Sequence, residues 1–203
     1  ETEESGRIAF IGFGEAAQAF TQGWRACGPV DLAAYDIKTD GEATRAGKQA
    51  DYARLAVTGC ATLAEALAGA DRIFSVVTAS EANAAARAAA AHIEPGVFFF
   101  DCNSCAPQTK AESASLIEAA GGRYVDVAVM APVHPRLHRV PLLISGPHSA
   151  AAFEALSALD MAAEVREGAV GEASAIKMVR SIMIKGLEAL VLECVLSGRK
   201  AGV

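Results

Sequence analysis

The chain has 203 residues and a formal net charge of −6, with 18 Lys and Arg against 24 Asp and Glu. This balance argues against a nucleic acid as the partner, because phosphate backbones are bound by basic surfaces. No run of about 18 apolar residues occurs, which excludes a transmembrane helix and gives no reason to expect a membrane partner. The 5 cysteines favour free thiols in a reducing, cytoplasmic setting over a disulfide framework.

The first half of the chain alternates short apolar runs with longer alanine-rich runs, and alanine is a good helix former. Because the apolar runs are continuous, they fit strands of a parallel sheet whose two faces are covered by helices. Strands are predicted at residues 7–12, 30–35, 57–58, 72–77 and 97–100, and helices at 15–26, 42–53, 63–67, 81–92 and after Pro107.

The second half begins with one more predicted strand, at residues 124–129, and then changes character. The segment PVHPRLHRVP at residues 132–141 is rich in proline, which indicates a loop. Strands at 142–145 and 163–166, a helix at 150–159 and a long helix from Gly171 to about Leu196 are predicted next. The long helix carries an apolar stripe, which predicts an interface and a homodimer. The stripe consists of Ile176, Val179, Met183, Leu187, Leu190, Val191 and Cys194.

A glycine-rich turn joins the first predicted strand to the first predicted helix. Its sequence, Gly12-Phe13-Gly14-Glu15-Ala16-Ala17, has the G-x-G-x-x-A form. Gly12 would permit the tight turn, Gly14 would let the backbone approach a pyrophosphate, and the helix N-terminus would stabilise its charge. The turn therefore predicts a dinucleotide site at residues 12–16, and the alternative is a tight turn without a ligand.

Asp36 ends the second predicted strand about 20 residues after the turn, where the acidic residue of this motif binds the ribose. A carboxylate accepts a hydrogen bond from the 2′-hydroxyl and repels a 2′-phosphate, so Asp36 favours NAD over NADP. Lys38 and Arg45 are close enough in sequence to weaken this preference, and a solvated turn carboxylate is the alternative role for Asp36. The elements and the turn together predict an α/β fold with a Rossmann-type, doubly wound, mainly parallel sheet.

Four short stretches carry a family resemblance that extends over residues 6–198. They are GFGEAA at 12–17, VTAS at 77–80, DCNS at 101–104 with Pro107, and KMVRS at 177–181 followed by Lys185-Gly186. With them the chain resembles the β-hydroxyacid dehydrogenases, the family that includes 6-phosphogluconate and 3-hydroxyisobutyrate dehydrogenases. It is most similar to the 6-phosphogluconate dehydrogenase-like branch of that family.

The resemblance implies an NAD(P)-dependent oxidoreductase that transfers a hydride between the cofactor and a small β-hydroxy acid or related alcohol. It implies that Lys177 is the catalytic acid or base, because this residue matches the family's catalytic lysine. Cofactor contacts are expected from Val77, Thr78 and Asn103. Substrate contacts are expected from Asn103, Ser104, Val133, His134 and Ser181.

No metal is expected, although the sequence contains two weaker redox-like or zinc-like signals. Cys102 and Cys105 form a C-x-x-C pair, but the thioredoxin-like context of such pairs is absent. His134 and His138 have the spacing of zinc ligands on a helix, but the surrounding prolines argue against a helix there.

The sequence also departs from the family pattern. His134-Pro135 stands where the family's substrate loop has S-G-G, Ser181 replaces an Asn, and Ile184 replaces the acid of the phosphogluconate enzyme. The last change speaks against phosphogluconate decarboxylation. The resemblance implies a dinucleotide-binding domain at residues 1–170 and, at residues 171–203, the start of an all-helical C-terminal domain that is mostly absent from this chain.

Two other functions stay open at this point. One is an NADPH-dependent imine or aldehyde reductase. The resemblance argues against it, because family members that reduce imines often lack the lysine that Lys177 matches. The other is a dinucleotide-binding sensor or structural subunit without turnover, which the altered substrate loop and Ser181 favour.

Overall fold

The computed structural model describes residues 6–203, so the first five residues of the predicted first domain lie outside the described residues. The strands are β1 (Arg7–Ile11), β2 (Leu32–Tyr35), β3 (Thr58–Gly59), β4 (Ala70–Ser75), β5 (Phe98–Asp101), β6 (Arg123–Val129), β7 (Leu142–Ser145) and β8 (Ala163–Val165). The helices are α1 (Glu15–Cys27), α2 (Glu42–Arg54), α3 (Leu63–Leu67), α4 (Ala82–Ala90), α5 (Pro107–Ala119), α6 (Ser149–Ser157) and α7 (Glu172–Ala201).

The eight strands form one sheet in the order β3-β2-β1-β4-β5-β6-β7-β8. Strands β1 to β6 are parallel, β7 pairs antiparallel with β6, and β8 pairs parallel with β7. The chain winds outward from β1 to β3 and then crosses over to β4 on the other side of β1. This reversal leaves a crevice at the carboxyl ends of β1 and β4, which is where sheets of this class bind ligands. The predicted Rossmann-type, mainly parallel sheet is therefore confirmed.

The core lies on both faces of the sheet, as continuous apolar strands require. One face carries an aromatic cluster, and the other carries smaller side chains together with two stacked rings. Strand β5 supplies both layers, because Phe100 stacks on Phe74 of β4 while Phe99 stacks on Tyr124 of β6. The alternation of side chains along a strand explains how the run FFFD fills two core layers at once.

The long C-terminal helix has little packing against the sheet beyond its first turn. Of α7, Ala173 and Ser174 are buried, whereas the whole predicted apolar stripe is exposed. The exposed apolar surface is also wider than the stripe, since it includes Met178, Ile182, Ile184, Leu192, Val195 and Leu196. A helix that is apolar over so much of its circumference is typical of the interior of a helical bundle.

Most predicted elements are found within two or three residues of their expected bounds. The long helix extends further than expected, to Ala201, where Gly202 ends it in a left-handed conformation. Among the described residues, no helix combines the length and the apolar character that crossing a membrane requires.

Candidate functional site

The glycine-rich turn lies between β1 and α1, at the crevice of the sheet. Gly12 has a φ of +83°, and a Cβ there would lie 2.8 Å from the carbonyl oxygen of Val76, so only glycine fits without strain. Gly14 precedes α1, and a Cβ on it would meet no atom within 4 Å. No described side chain caps α1, so its first N–H groups face open space beside Gly14. This is the open, positively polarised backbone that a pyrophosphate requires.

The three other predicted residues of the turn have different surroundings. Glu15 is exposed and Ala16 is half-buried at the start of α1, whereas Phe13 is buried against Phe10 and Tyr52. The N–H of Phe13 donates to Asp36, so neither its ring nor its N–H is free for a ligand. Phe13 therefore anchors the turn to the core and is not available as the predicted cofactor contact.

Asp36 lies directly after β2, beside the turn, and is only 7% exposed. Its carboxylate accepts hydrogen bonds from the N–H of Phe13 at 2.8 Å and from the N–H of Lys38 at 2.9 Å. The ammonium of Lys48 lies 3.8 Å from the same carboxylate and donates to the carbonyl oxygen of Phe13 at 2.7 Å. The turn, Asp36 and Lys48 thus form one connected unit.

Sequence reasoning did not identify Lys48. It is 7% exposed on a helix whose other residues are mostly exposed, and it also pairs with Asp51 at 3.0 Å. In the sequence, Lys48 is one of several charged residues of α2, so nothing marks it as buried. Only the approach of α2 to the glycine-rich turn shows its role.

Val77 and Asn103 connect the carboxyl ends of β4 and β5. The N–H of Val77 donates to Asn103 Oδ1 at 2.7 Å, and Asn103 Nδ2 donates to Ser75 Oγ at 3.0 Å and to Asp101 Oδ1 at 2.8 Å. Asn103 is therefore saturated and buried, and it holds the exposed Thr78 segment at the crevice. Val77 also borders Gly12, since a Cβ on that glycine would lie 2.9 Å from its side chain.

Lys177 lies at the same edge of the sheet. Its ammonium donates a 2.7 Å hydrogen bond to the hydroxyl of Ser104, which is exposed just beyond β5. Burial lowers the pKa of the half-buried Lys177 from its ordinary value, and the nearby cation of Lys110 lowers it further. Ser181 follows one turn later on α7 and is half-buried. The structure thus brings Lys177, the predicted catalytic residue, within hydrogen-bond distance of Ser104, a predicted substrate residue.

A buried network of charges supports this edge from behind. Lys110 donates to Asp101 Oδ1 at 3.0 Å and lies 3.4 Å from Asp126 Oδ1, and all three side chains are fully buried. The hydroxyl of Tyr124 donates to Asp101 Oδ2 at 2.6 Å. Burial alone would lower the pKa of Lys110, but the two carboxylates raise it above its ordinary value, so this lysine stays charged.

Asp126 also fixes the start of α7. Its Oδ2 accepts the N–H groups of Gly171 and Ser174, each at 3.1 Å, and its Oδ1 accepts the hydroxyl of Ser174 at 2.6 Å. A carboxylate at a helix N-terminus satisfies free N–H groups and complements the helix dipole. Asp126 lies inside the apolar run YVDVAV, and a charge within a buried strand is a signal that sequence reasoning could have used.

The proline-rich loop separates two predicted substrate residues. Val133 is buried in the main core, whereas His134 is exposed and lines a cleft of about 400 Å³. Arg180 of α7 borders the same cleft, and its Nη1 donates to the carbonyl oxygen of Met130 at 2.9 Å. The structure therefore places His134 near α7 and leaves Val133 to packing.

The two weaker sequence signals have other surroundings than redox or zinc sites require. Cys102 and Cys105 are buried and free, and burial raises the pKa of Cys102 to about 12. His138 packs against α1, away from His134, with Cys27 and Asp160 nearby; the donor atoms of these three lie within 4.8 Å of one another. Asp160 is paired with Arg139, so its carboxylate is already neutralised.

The doubly wound sheet, the open glycine-rich turn and Asp36 at the end of β2 define a dinucleotide-binding domain. Residues 7–171 match the model of the NAD-binding domain of 6-phosphogluconate dehydrogenase. The chain belongs to that family, as the resemblance in the sequence predicted.

Solved structures agree with this assignment. A conserved hypothetical protein from Sinorhizobium meliloti 1021 is 40% identical, with a TM-score of 0.84 over 99% of this chain and 67% of that one. A conserved protein of unknown function with structural similarity to 3-hydroxyacid dehydrogenases is 30% identical, with a TM-score of 0.77 over 97% of this chain and 71% of that one.

A more distant structure shares the fold alone. The 3-hydroxyisobutyrate dehydrogenase of Mycobacterium tuberculosis, solved with L-serine, is 20% identical, with a TM-score of 0.78 over 97% of this chain and 66% of that one. The chain therefore shares its fold with a 3-hydroxyacid dehydrogenase-like protein of unknown function and with a 3-hydroxyisobutyrate dehydrogenase.

Proposed function

We propose that this chain carries the cofactor domain and the catalytic lysine of an NAD(P)-dependent dehydrogenase that acts on a small β-hydroxy acid or related alcohol. The observation that carries the proposal is the 2.7 Å contact between Lys177 and Ser104 at the edge of the sheet where the dinucleotide site opens. A solvated helix lysine would have neither this partner nor a pKa lowered by burial.

Different residues of the chain would bind different parts of the cofactor. Gly14 and the open N-terminus of α1 would hold the pyrophosphate, since a Cβ-sized space beside Gly14 is free. Asp36 would accept from the ribose and favour NAD, while Val77 and Thr78, held by Asn103, would border the nicotinamide end. A bound nicotinamide supplies the hydride chemistry.

Lys177 would act as the general base in oxidation and as the general acid in reduction. In oxidation, its neutral amine takes the proton of the substrate hydroxyl, and in reduction its ammonium returns that proton. A lysine with an ordinary pKa is almost fully protonated at neutral pH, so the lowered pKa of Lys177 increases the fraction that is able to act as a base. Ser104 orients the amine, and Ser181 offers a second hydroxyl one turn away on the same face of α7.

The proposal also includes the domain organisation and the oligomeric state of the protein. We infer that residues 171–203 begin a second, helical unit and that the apolar face of α7 is covered in a homodimer. The support is the exposed apolar surface of α7, which covers more of the helix circumference than the predicted stripe does.

The test is cofactor reduction by the full chain, with NAD and NADP offered separately against 3-hydroxy acids and amino alcohols. Lys177→Met is compared with Lys185→Met, a matched change at an exposed position of the same helix. We expect turnover to fall about 100-fold or more in Lys177→Met alone, the range for loss of a general acid or base. Equal turnover in the two variants would overturn the assigned role. Dinucleotide binding without turnover of any compound in the panel would favour a dinucleotide-binding sensor.

A further inference from the structure

We propose that the cleft between the proline-rich loop and α7 binds a carboxylate or phosphate group of the substrate through His134, Arg136 and Arg180. This inference rests on the proposed function, because it names the substrate class of that same site. The juxtaposition that carries it is a cluster of basic side chains directly beside the catalytic lysine.

The contacts of α7 place the cleft next to Lys177. Lys177 is held by Ser104, just beyond β5, and Arg180 is held by the carbonyl of Met130, just beyond β6. These two strands are parallel neighbours, with Asp101 paired to Asp126, so their carboxyl ends lie side by side. Residues three apart on a helix have Cβ atoms about 5–6 Å apart. A small substrate held at Lys177 would therefore extend toward the cleft.

The lining of the cleft suits an anion. It consists of Met130, Ala131, Pro132, His134, Pro135, Arg136, Pro141 and Arg180, and no acidic residue is among them although the chain as a whole carries −6. The ion pairs found among the described residues involve other arginines and leave Arg136 and Arg180 without a carboxylate partner. Two unpaired guanidinium groups at one small cleft form a site for oxygen anions.

Arg180 is positioned rather than free to swing. Its Nη1 donates to the carbonyl oxygen of Met130, and no other hydrogen bond of its guanidinium is found among the described residues, although Arg180 lines the cleft. A guanidinium carries five N–H donors in a planar fork that matches carboxylate and phosphate oxygens. Pro132, Pro135 and Pro141, which also line the cleft, restrict the backbone of the loop that carries Arg136. The cleft thus offers a fixed guanidinium from α7 and a second one from a stiff loop.

This side-chain site replaces a backbone site. Because His134-Pro135 stands where the related dehydrogenases have S-G-G, a loop of glycine N–H groups is not available here, and a proline supplies no N–H at all. The volume of about 400 Å³ accommodates a small acid or a phosphate group. Substrate choice then depends on charge at the end of the molecule that lies away from the reacting carbon.

The experiment is a binding titration, so that its outcome does not depend on turnover. Malonate, inorganic phosphate and the neutral malonamide are titrated into the full chain by calorimetry, with saturating NAD or NADP. Wild type is compared with Arg136→Gln, Arg180→Gln, the double variant and Arg87→Gln, a control on the exposed face of α4. We expect binding of at least one anion and none of malonamide, with a loss of about tenfold in each cleft variant and none in Arg87→Gln.

The probes separate the two sources of anion, since tighter malonate binding indicates a carboxylate and tighter phosphate binding a phosphate. Absence of anion binding by wild type, or equal affinities in wild type and the double variant, would overturn the proposal. Unfolding midpoints in urea check that the variants fold. Lys177→Met should keep anion binding while it loses turnover, so a failure of the cleft and a failure of the assigned catalytic role are distinguishable.

Discussion

The ammonium of Lys177 donates a 2.7 Å hydrogen bond to the hydroxyl of Ser104, across 73 positions of the chain. The two residues come from α7 and from the end of β5, and the buried carboxylate of Asp126 fixes the helix that makes the contact possible. This contact places a titratable amine at the carboxyl edge of the sheet, beyond β5, which is the neighbour of β4.

The first prediction concerns pH. Alcohol oxidation needs neutral Lys177, so kcat/KM for oxidation should rise with pH and level off at a pKa below the ordinary lysine value of about 10.4, because burial and Lys110 lower the pKa of this amine. Reduction should show the opposite trend, since it needs the ammonium. Steady-state pH profiles in both directions measure this. The profile of Lys177→Met should lose the limb, and a limb that persists in that variant would assign the titration to another group.

The second prediction concerns the pyrophosphate site. Gly14→Ala should fold normally, because a Cβ at this position meets no atom within 4 Å, but dinucleotide affinity should fall about tenfold or more as the methyl group fills the space for the phosphates. Calorimetric titration with NAD and NADP measures the affinity. Gly47→Ala adds the same methyl group in open space on α2 and should bind as wild type does. Unaltered affinity in Gly14→Ala would place the cofactor elsewhere.

The third prediction concerns cofactor choice. Asp36→Asn keeps the shape of the side chain and one acceptor oxygen, which can serve the N–H of Phe13. It gives up the second acceptor, used by the N–H of Lys38, and it removes the charge that repels a 2′-phosphate. The ratio of NADP to NAD affinity should therefore rise by about tenfold. Asp40→Asn, at an exposed position of the same loop, should leave the ratio as it is. If both variants give the same ratio as wild type, Asp36 does not determine the preference.

The fourth prediction concerns stability. Lys110→Met leaves Asp101 and Asp126 buried without their cation, and removal of one partner of a buried ion pair costs about 3–5 kcal/mol. The free energy of unfolding in urea should fall by about that amount. Lys38→Met, at an exposed position after β2, should change it by less than about 0.5 kcal/mol. A loss in Lys110→Met as small as in the control would show that the two carboxylates need no cation.

The fifth prediction concerns assembly. If α7 forms a homodimer interface, light scattering at micromolar concentration should give twice the mass of the chain. Leu187→Glu combined with Val191→Glu places two charges on one face of the exposed apolar surface and should give a monomer. Lys200→Glu, in the last turn of α7, should remain dimeric. A monomeric wild type would contradict the proposal and assign the apolar surface to another partner.

Local chemistry explains why much of the fold was predictable. The strands and helices follow from continuous apolar runs and alanine-rich segments, and Gly12 is required by a positive φ that other residues adopt with strain. The apolar stripe of α7 was predicted from the helical spacing of its residues, and the structure leaves these residues exposed. The reversed direction of β7 and β8 was not predicted, since their residues read as strands in either direction.

The sequence by itself determined the glycine-rich turn, Asp36 and Lys177 as candidates, because each is marked by residue type and by spacing along the chain. Only the tertiary structure decided what surrounds them. Lys48 reaches Asp36, Asp126 caps α7 from 48 positions away, and Arg180 meets Met130 across 50. The physical reason is that a pKa, a cap or a basic cleft depends on groups that meet only when helices pack across strand ends, and no periodicity along the chain records that meeting.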